Sequence, residues 1–239
     1  MVRNRAPVST ISQHQQQAEL EPSTPQQSID ESYRIEIVRK SIHLTSIIIP
    51  IVYFFTPRSL ALGVLIPLTL CFLIVDVGRY YSPTVEVLFN RAFGWLLRKH
   101  ESDREQKRLN GATYVLLAAT ISVFIFPKLI AITGFSVLIL CDPAAALIGK
   151  RFGKHSLFKK SVEGTVAFLV TGIMVVFLLP KIEYSLAEYV VAIVAVAGGA
   201  LVEALPIEID DNLSIPMTVG GLMWLGYAVF LPVINLNKF

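Results

Sequence analysis

The feature that most constrains this sequence is a series of seven apolar segments. They lie at about 41–56, 59–77, 111–127, 129–148, 164–180, 186–204 and 214–234. Most approach the roughly 20 residues that a helix needs to cross a bilayer, where the backbone must satisfy its own hydrogen bonds. Hydrophobic residues make up 54% of the chain and charged residues only 16%, which excludes an ordinary water-soluble domain. The sequence predicts an all-α polytopic membrane protein.

The basic residues predict how these segments are oriented. Residues 1–40, 78–110 and 149–163 hold five, seven and five Lys plus Arg, whereas the three connections that alternate with them hold one each. Because Lys and Arg near membrane spans stay in the cytoplasm, we expect the N-terminus and both loops to be cytoplasmic. The 205–213 loop is expected on the same side although it has no basic residue. The expected location is a bacterial inner membrane or the endoplasmic reticulum.

Two further segments complete the predicted organisation. Residues 1–31 are rich in Gln, Ser and Pro and are expected to form a disordered cytoplasmic tail, followed by a transmembrane domain over 32–239. Between the second and third spans, Ser82 and Pro83 offer a helix start, and apolar residues recur with helical spacing as far as Leu96. We predict an interfacial amphipathic helix there; a buried packing helix is the alternative.

Asp142 is the clearest ionisable residue inside a predicted span. A carboxylate in hydrocarbon costs at least about 2.5 kcal/mol on insertion scales, so such residues usually serve a function. The small residues Ala145, Ala146 and Gly149 follow on the same helical face and would let a ligand approach the backbone. Because Pro143 comes next, Asp142 could instead cap a helix that is broken there.

The loop that follows carries five basic residues within eleven positions: Lys150, Arg151, Lys154, Lys159 and Lys160. Gly149 and Gly153 would let backbone amides approach phosphate oxygens, which the basic side chains would neutralise. The sequence therefore predicts a polyphosphate-binding loop, with Glu163 at the start of the next span. The alternative is a basic loop that only sets topology near anionic lipids.

An acidic loop at 205–213 carries Asp210, Asp211 and Asn212, and Glu203 precedes it. Adjacent carboxylates repel each other, so their presence beside a membrane favours a shared divalent cation. Oxygen ligands suit Mg²⁺, with phosphate oxygens completing its coordination. A solvated acidic turn is the alternative. The basic and acidic loops together could supply the two halves of a nucleotide site.

The sequence RKSIH precedes the first span. Arg39, Lys40 and His43 are three or four residues apart, so they can face one cleft if the helix extends this far. They are predicted to contact phosphate or a lipid headgroup, unless the two cations are only topology anchors and the histidine is structural. Weaker candidates at other cytoplasmic membrane edges are Asp76, Arg79 and residues 109–114.

These motifs resemble the family of CTP-dependent membrane lipid kinases, which includes dolichol kinase, phytol kinase and the yeast-type diacylglycerol kinase. The matching pieces are RKSIH at 39–43, LNGATY at 109–114, CDPAAALIGKRFGKH at 141–155, KKSVEGT at 159–165 and IDDNLSIP at 209–216. The charged ESDREQKR at 101–108 departs from the family pattern. The transmembrane domain is then the catalytic domain.

The resemblance implies transfer of the γ-phosphoryl group of CTP to the hydroxyl group of diacylglycerol, a polyprenol or phytol at the cytoplasmic face. Nucleic acid is not an expected partner. The implied ligands of Mg²⁺ are Asp142, Asp210 and Asp211. Asp142, Asp211 and Lys160 are the expected catalytic residues, and either carboxylate could accept the proton of the alcohol. The expected nucleotide-binding residues are Lys150, Arg151, Lys154, Lys159, Lys160, Glu163, Asn212, Arg39, Lys40 and His43.

Part of this pattern is shared with phosphatidate cytidylyltransferase, which uses CTP to form CDP-diacylglycerol. That enzyme has a C-terminal signature with a histidine and a final DRxD, whereas residues 203–221 contain no histidine here. The kinase is therefore favoured and the cytidylyltransferase is the alternative. A transporter or a non-catalytic lipid-binding protein could also carry an intramembrane aspartate and basic loops.

Overall fold

The computed structural model describes residues 25–93, 109–158 and 160–236, and most of these residues are helical. The helices are α1 (Pro25–Thr45), α2 (Ile48–Phe55), α3 (Arg58–Tyr81), α4 (Pro83–Phe93), α5 (Gly111–Ile125), α6 (Lys128–Phe152), α7 (Val162–Leu178), α8 (Leu186–Ala204) and α9 (Asp211–Phe230). Two short strands, β1 (Ser156–Leu157) and β2 (Lys160–Ser161), form an antiparallel hairpin between α6 and α7.

The predicted membrane spans are all helical. Five helical stretches are long and apolar enough to cross a membrane: Tyr33–Phe55, Arg58–Tyr81, Lys128–Phe152, Leu186–Ala204 and Asp211–Phe230. Helices α5 and α7 are also apolar but have 15 and 17 residues. These seven helical stretches match the seven predicted segments, so the prediction of an all-α polytopic membrane protein is confirmed.

Helix α6 is the central element of the fold. It contacts α1, α2, α5, α7 and α9, and every residue from Leu129 to Ile139 is buried. Lipid is as apolar as the side chains, so close van der Waals packing has to hold such helices together. Gly134 permits this packing, because an added Cβ atom would lie 3.1 Å from the carbonyl oxygen of Pro216 in α9.

Pro50 interrupts the first span between α1 and α2. A proline has no backbone N–H, and its ring clashes with the carbonyl group four residues earlier. That carbonyl group belongs to Ser46, and it accepts a hydrogen bond from the N–H of Ile49 at 3.0 Å instead. A turn therefore replaces helix at residues 46–47.

Helix α1 begins at Pro25, within the segment that the sequence assigns to the tail over 1–31. The predicted boundary at residue 31 stays a prediction. Proline is tolerated in the first turn of a helix because its missing N–H would have no intrahelical partner there. Pro25 can therefore begin the helix, and no proline occurs between Pro25 and Pro50. The rest of the expected tail, residues 1–24, lies outside the described residues.

Helix α6 runs without interruption from Lys128 to Phe152, past Pro143. The alternative in which Asp142 caps a broken span is therefore wrong. Asp142 lies inside a continuous helix and is only 4% exposed. A buried carboxylate needs a partner from another element, because the backbone amides of its own helix are already paired.

The predicted amphipathic helix is α4, which begins at Pro83 and is described as far as Phe93. Phe89 is buried, and the guanidinium group of Arg79 lies 4.7 Å from the centre of its ring. Leu88 is 69% exposed. Helix α4 therefore packs against α3 through the buried Phe89, while Leu88 leaves part of its surface open. The predicted residues beyond Phe93 lie outside the described part of the chain.

Candidate functional site

Lys160 joins three elements through two ion pairs. Its Nζ atom lies 2.6 Å from Oε1 of Glu203, at the end of α8, and 2.9 Å from Oδ2 of Asp211, at the start of α9. Lys160 itself lies in β2. The three residues are called the charge cluster below. It links the basic loop to the acidic loop, as expected if the two loops form one site.

Electrostatics keep Lys160 in its charged form. Burial disfavours the ammonium group, but the carboxylates of Asp211 and Glu203 outweigh burial and raise the pKa of Lys160 above its ordinary value. Lys160 is therefore a fixed positive charge at neutral pH. The second carboxylate oxygen of Glu203 is buried and has no hydrogen-bond partner among the described residues.

Asp142 finds its partners on α1. Lys40 donates a buried hydrogen bond to Oδ2 of Asp142, and Nε2 of His43 lies 3.8 Å from the same oxygen. The side chains of Lys40 and Asp142 are each only 6% exposed. This pair neutralises the intramembrane carboxylate and fixes α1 against the central helix.

Asp142 also interacts electrostatically with the charge cluster. The charge of Lys160 acts on the Asp142 carboxylate, which in turn acts on Glu203 and Asp211. The RKSIH segment, the C-terminal half of α6, the hairpin and the acidic loop thus come together towards one end of the helix bundle. We call this end the site end.

Glu36 binds two of the predicted phosphate-binding cations. It accepts a hydrogen bond from Arg39 within α1, and its Oε2 atom lies 3.2 Å from Nζ of Lys150 in α6. The guanidinium group of Arg151 lies 5.6 Å from the ring centre of Tyr33. These contacts hold the N-terminal part of the first span against the last turn of α6.

The glycines of the basic loop are used for close packing. An added Cβ atom at Gly149 or Gly153 would lie 2.9 Å from Oγ of Ser161, so the hairpin folds tightly against the end of α6. The N–H of Gly153 donates to the carbonyl oxygen of Gly149 at 3.0 Å. The N–H of Gly153 thus ends α6, and the predicted approach of backbone amides in this loop to phosphate stays a prediction.

Glu163 holds the hairpin in place. Its Oε1 atom accepts a hydrogen bond from the backbone N–H of His155 at 3.3 Å and lies 2.8 Å from Nδ1 of the same residue. Ser161 accepts a hydrogen bond from the N–H of Gly164 and caps α7. Glu163 thus supports the basic loop through its hydrogen bonds to His155.

The acidic loop presents Asp211 by using Asp210 as a cap. Oδ1 of Asp210 accepts from the backbone N–H of Asn212 at 3.0 Å and from its side-chain amide at 2.7 Å. An added Cβ atom on Gly111 would lie 3.7 Å from Nδ2 of Asn212. The LNGATY segment therefore lies beside the acidic loop.

Asp76 connects this region to α3. Its Oδ2 atom accepts from the backbone N–H of Asn110 at 2.7 Å, and its Oδ1 atom lies 2.8 Å from Nε of Arg79. The side chain of Asn110 accepts from Thr113 and caps α5. The three weaker candidates thus form one supporting network next to the site.

The structure gives the predicted metal ligands different partners. Asp142 pairs with Lys40, Asp210 caps α9, and Asp211 pairs with Lys160. Within residues 25–93, 109–158 and 160–236, no three His, Cys, Asp or Glu side chains form a group that could hold a metal ion. The predicted Mg²⁺ site therefore stays a prediction.

Two of the predicted phosphate-binding residues, Lys154 and Lys159, remain. Lys154 is exposed on the loop before the hairpin. Lys159 lies outside the described residues, so its predicted role stays a prediction.

Glu36 and Glu203 are the site residues that the sequence did not assign. Glu203 was visible only as a carboxylate at the end of a span, and its pairing with Lys160 depends on how the hairpin folds. Glu36 precedes the apolar part of the first span and has the i,i+3 and i,i+4 spacing to Arg39 and Lys40. That spacing is the sequence feature from which a role for Glu36 could have been predicted.

Comparisons with known proteins give three informative relatives. The chain is 29% identical over 190 residues to an uncharacterised protein of Rickettsia prowazekii, which covers 79% of this chain and 93% of that protein. It is 27% identical over 164 residues to CTP-dependent diacylglycerol kinase 1 of Schizosaccharomyces pombe, covering 63% of this chain and 73% of the kinase. It is 31% identical over 107 residues to the phytol kinase of Synechocystis, covering 42% and 46%. No family model and no solved structure gives a significant match.

Proposed function

Because the chain belongs to the family of CTP-dependent lipid kinases, we propose that it transfers the γ-phosphoryl group of CTP to the hydroxyl group of a membrane lipid alcohol at the cytoplasmic face. The observation that carries this proposal is the meeting of Lys160, Glu203 and Asp211 beside the buried pair of Lys40 and Asp142. The relatives are named for different acceptors, diacylglycerol and phytol, so the acceptor is proposed only as a lipid alcohol.

Phosphoryl transfer needs positioning and charge neutralisation more than covalent chemistry from the protein. Lys160 is suited to this task because two carboxylates hold its ammonium group in place and keep it charged. We assign Lys160 to the phosphate oxygens nearest the transferred group. Lys150, Arg151 and Lys154, on the exposed turn and loop beside it, are assigned to the remaining phosphates.

We propose that the carboxylates of the charge cluster bind a hard divalent cation together with the phosphates of the nucleotide. Mg²⁺ is usually bound by one or two carboxylates together with substrate phosphates, so a three-carboxylate cluster is not required. Asp211 is one ligand in this proposal, and Glu203 is the second because one of its oxygens is buried without a partner. A bound Mg²⁺ would neutralise charge on the triphosphate. Asp210 is less suited because its Oδ1 atom caps α9.

Asp142 is proposed to accept the proton of the lipid hydroxyl. Its side chain is 6% exposed and lies among membrane-spanning helices, whereas the side chain of Asp211 is 33% exposed and already contacts Lys160. Lys40 and His43 would orient the carboxylate and the hydroxyl group. A lipid alcohol could then react without leaving the bilayer.

The test is label transfer from CTP by purified protein with Mg²⁺ and a panel of diacylglycerol, a polyprenol, phytol and phosphatidate. CTP is labelled at either the α or the γ phosphorus. A kinase places the γ label in a lipid alcohol and leaves the α label in solution. Entry of the α label into phosphatidate would support the cytidylyltransferase instead, and absence of both labels from every lipid would contradict enzymatic use of CTP.

A further inference from the structure

We propose that one hydrocarbon chain of the acceptor lipid binds in an apolar groove between α2, α6 and α7. The proposal rests on the lipid-kinase function stated above and identifies where its second substrate is held. The groove has a volume of about 230 Å³. Its occupant is specified as the apolar chain of a lipid that carries a free hydroxyl group.

The groove is built from one face of α2 laid against the central helix. Ile47, Ile51 and Phe55 recur at i, i+4 and i+8, and Ile132 and Leu140 line the facing side of α6. Ser136 is the single polar side chain among the residues that line this groove. A surface of this composition suits a hydrocarbon chain and offers almost nothing to a nucleotide.

The interruption of the first span lies next to the groove. The helix is broken at residues 46–47, directly after the part of α1 that contacts Asp142. Pro50 is itself among the lining residues. The same proline that interrupts the first span therefore lies where the groove begins.

One end of the groove adjoins the reaction site. Ile47, which lines the groove, follows His43 by four residues, and His43 is the residue whose Nε2 atom lies 3.8 Å from Oδ2 of Asp142. The side chain of His43 is 10% exposed, and its Nε2 atom has no hydrogen-bond partner among the described residues. A lipid whose chain lies in the groove would present its hydroxyl group to this nitrogen, which is buried 3.8 Å from Oδ2 of Asp142 and has no hydrogen-bond partner in the described part of the chain.

The pair of Lys40 and Asp142 suits a hydroxyl headgroup. The two side chains neutralise each other, so the pair offers hydrogen bonds without a net charge. A neutral hydroxyl group needs no further charge compensation beside this pair. A lipid alcohol is therefore the occupant that we propose for this end of the groove.

The rim of the groove is open to the surrounding bilayer. Phe55 and Leu178 are 78% and 82% exposed, and both line the groove at the end away from the site. A chain could therefore enter sideways between α2 and α7 without passing through water. This route suits an acceptor that is dissolved in the membrane.

Adjacent residues on α2 provide a matched test. Ile51 and Val52 are both 49% exposed, but only Ile51 lines the groove. We expect I51W to fill the groove and raise the KM for the lipid acceptor by about tenfold or more, with the KM for CTP unchanged. V52W should stay close to wild type. The same KM for the lipid acceptor in I51W and V52W would overturn the proposal.

A binding measurement separates the groove from the kinase function. A diacylglycerol and a polyprenol, each with a diazirine in the chain, are photolysed with the full protein without CTP, and labelled peptides are mapped. Labelling of the groove peptides by at least one alcohol, lost in I51W and kept in V52W, supports the proposal even if no phosphoryl transfer occurs. The proposal fails if diazirine-labelled phosphatidylcholine labels the groove equally well or if neither alcohol labels it.

A second pair of variants covers the case in which I51W does not fold. Leu178 lines the groove from α7, whereas its exposed neighbour Phe177 does not. L178W should reduce labelling and weaken acceptor use in the same way, while F177W should not. Identical behaviour of these two variants would also overturn the proposal.

Discussion

Lys160 is the residue on which the proposed chemistry depends most. It is held by two carboxylates that lie 43 and 51 residues further along the chain, so its position is fixed only when the hairpin, α8 and α9 are all in place. The pKa of Lys160 is raised, so the stability that it contributes is fully present at neutral pH. This contribution is lost only as the pH rises through the folded-state pKa.

Replacing Lys160 should therefore damage catalysis directly. We expect K160M to lower kcat/KM for CTP by about 100-fold or more, the usual effect of removing a preorganised charge-stabilising group. The loss also leaves Glu203 and Asp211 without their shared cation. K154M is the matched control, because Lys154 is an exposed lysine of the same loop and should have a smaller effect. Similar losses in the two variants would argue against a special role for Lys160.

The pair of Lys40 and Asp142 makes a prediction about stability. K40M removes one partner of a buried ion pair, which commonly destabilises a protein by about 3–5 kcal/mol. The double variant K40M/D142N no longer contains the unpaired carboxylate and should recover much of the lost thermal stability. It should still be inactive, because the proposed proton acceptor is gone. Thermal unfolding of the purified variants provides the measurement, and a double variant as unstable as K40M would contradict the pairing.

Single site residues were predictable where a charged side chain lies inside or directly beside an apolar span. Asp142 stands out because a carboxylate is costly in a bilayer, and Lys160 and Asp211 stand out because they belong to charged loops beside apolar spans. Their partners were not predictable in the same way. The contact between Lys160 and Glu203 joins residues that are 43 positions apart, and no local spacing encodes it.

At the scale of elements, the close approach of α6 and α7 positions the basic hairpin. An added Cβ atom at Gly164 would lie 2.9 Å from the carbonyl oxygen of Ala145, which belongs to backbone and cannot move aside easily. We expect G164A to destabilise the protein and to lower kinase activity by displacing the hairpin. G221A is the control, since an added Cβ atom at Gly221 meets no neighbouring atom within 4 Å. The measurement is activity and thermal unfolding of both variants; equal tolerance would contradict this packing role.

The positions of the helices were largely predictable because apolar length is a direct requirement of the bilayer. The details at their ends were not, because they depend on individual hydrogen bonds. Lys181, for example, donates to the carbonyl oxygens of Val176 and Leu179 at 2.6 and 3.0 Å and caps the end of α7. Glu188 accepts from the backbone of Ile182 and from the hydroxyl group of Tyr227. Neither residue stood out in the sequence, although both are buried.

At the scale of the whole molecule, the site end and the opposite end differ in how they use basic residues. The site end carries the clustered cations, whereas single basic residues at the other end contact backbone carbonyls or an aromatic ring. Arg58 donates to the carbonyl oxygen of Phe124, and Lys128 lies 5.7 Å from the ring centre of Tyr53. This asymmetry supports the prediction that the site end is cytoplasmic.

Accessibility of introduced cysteines checks this orientation. The native Cys71 and Cys141 are first replaced by alanine, and a single cysteine is then introduced by K154C or Y184C. Lys154 lies at the site end, and Tyr184 is 62% exposed in the connection before α8. In intact cells, or in sealed vesicles of the matching orientation, an impermeant maleimide should label Y184C directly and K154C only after permeabilisation. The reverse pattern would contradict a cytoplasmic site.

The central claim is that separate parts of the chain form a single site for phosphoryl transfer to a lipid. The most direct measurement is the transfer of γ-labelled and α-labelled CTP phosphorus into lipid by purified wild type and D142N, with the fold of D142N checked by thermal unfolding. Wild type should place only the γ label in a lipid alcohol, and folded D142N should place none. Incorporation of the α label, or equal γ incorporation by the two proteins, would contradict this claim.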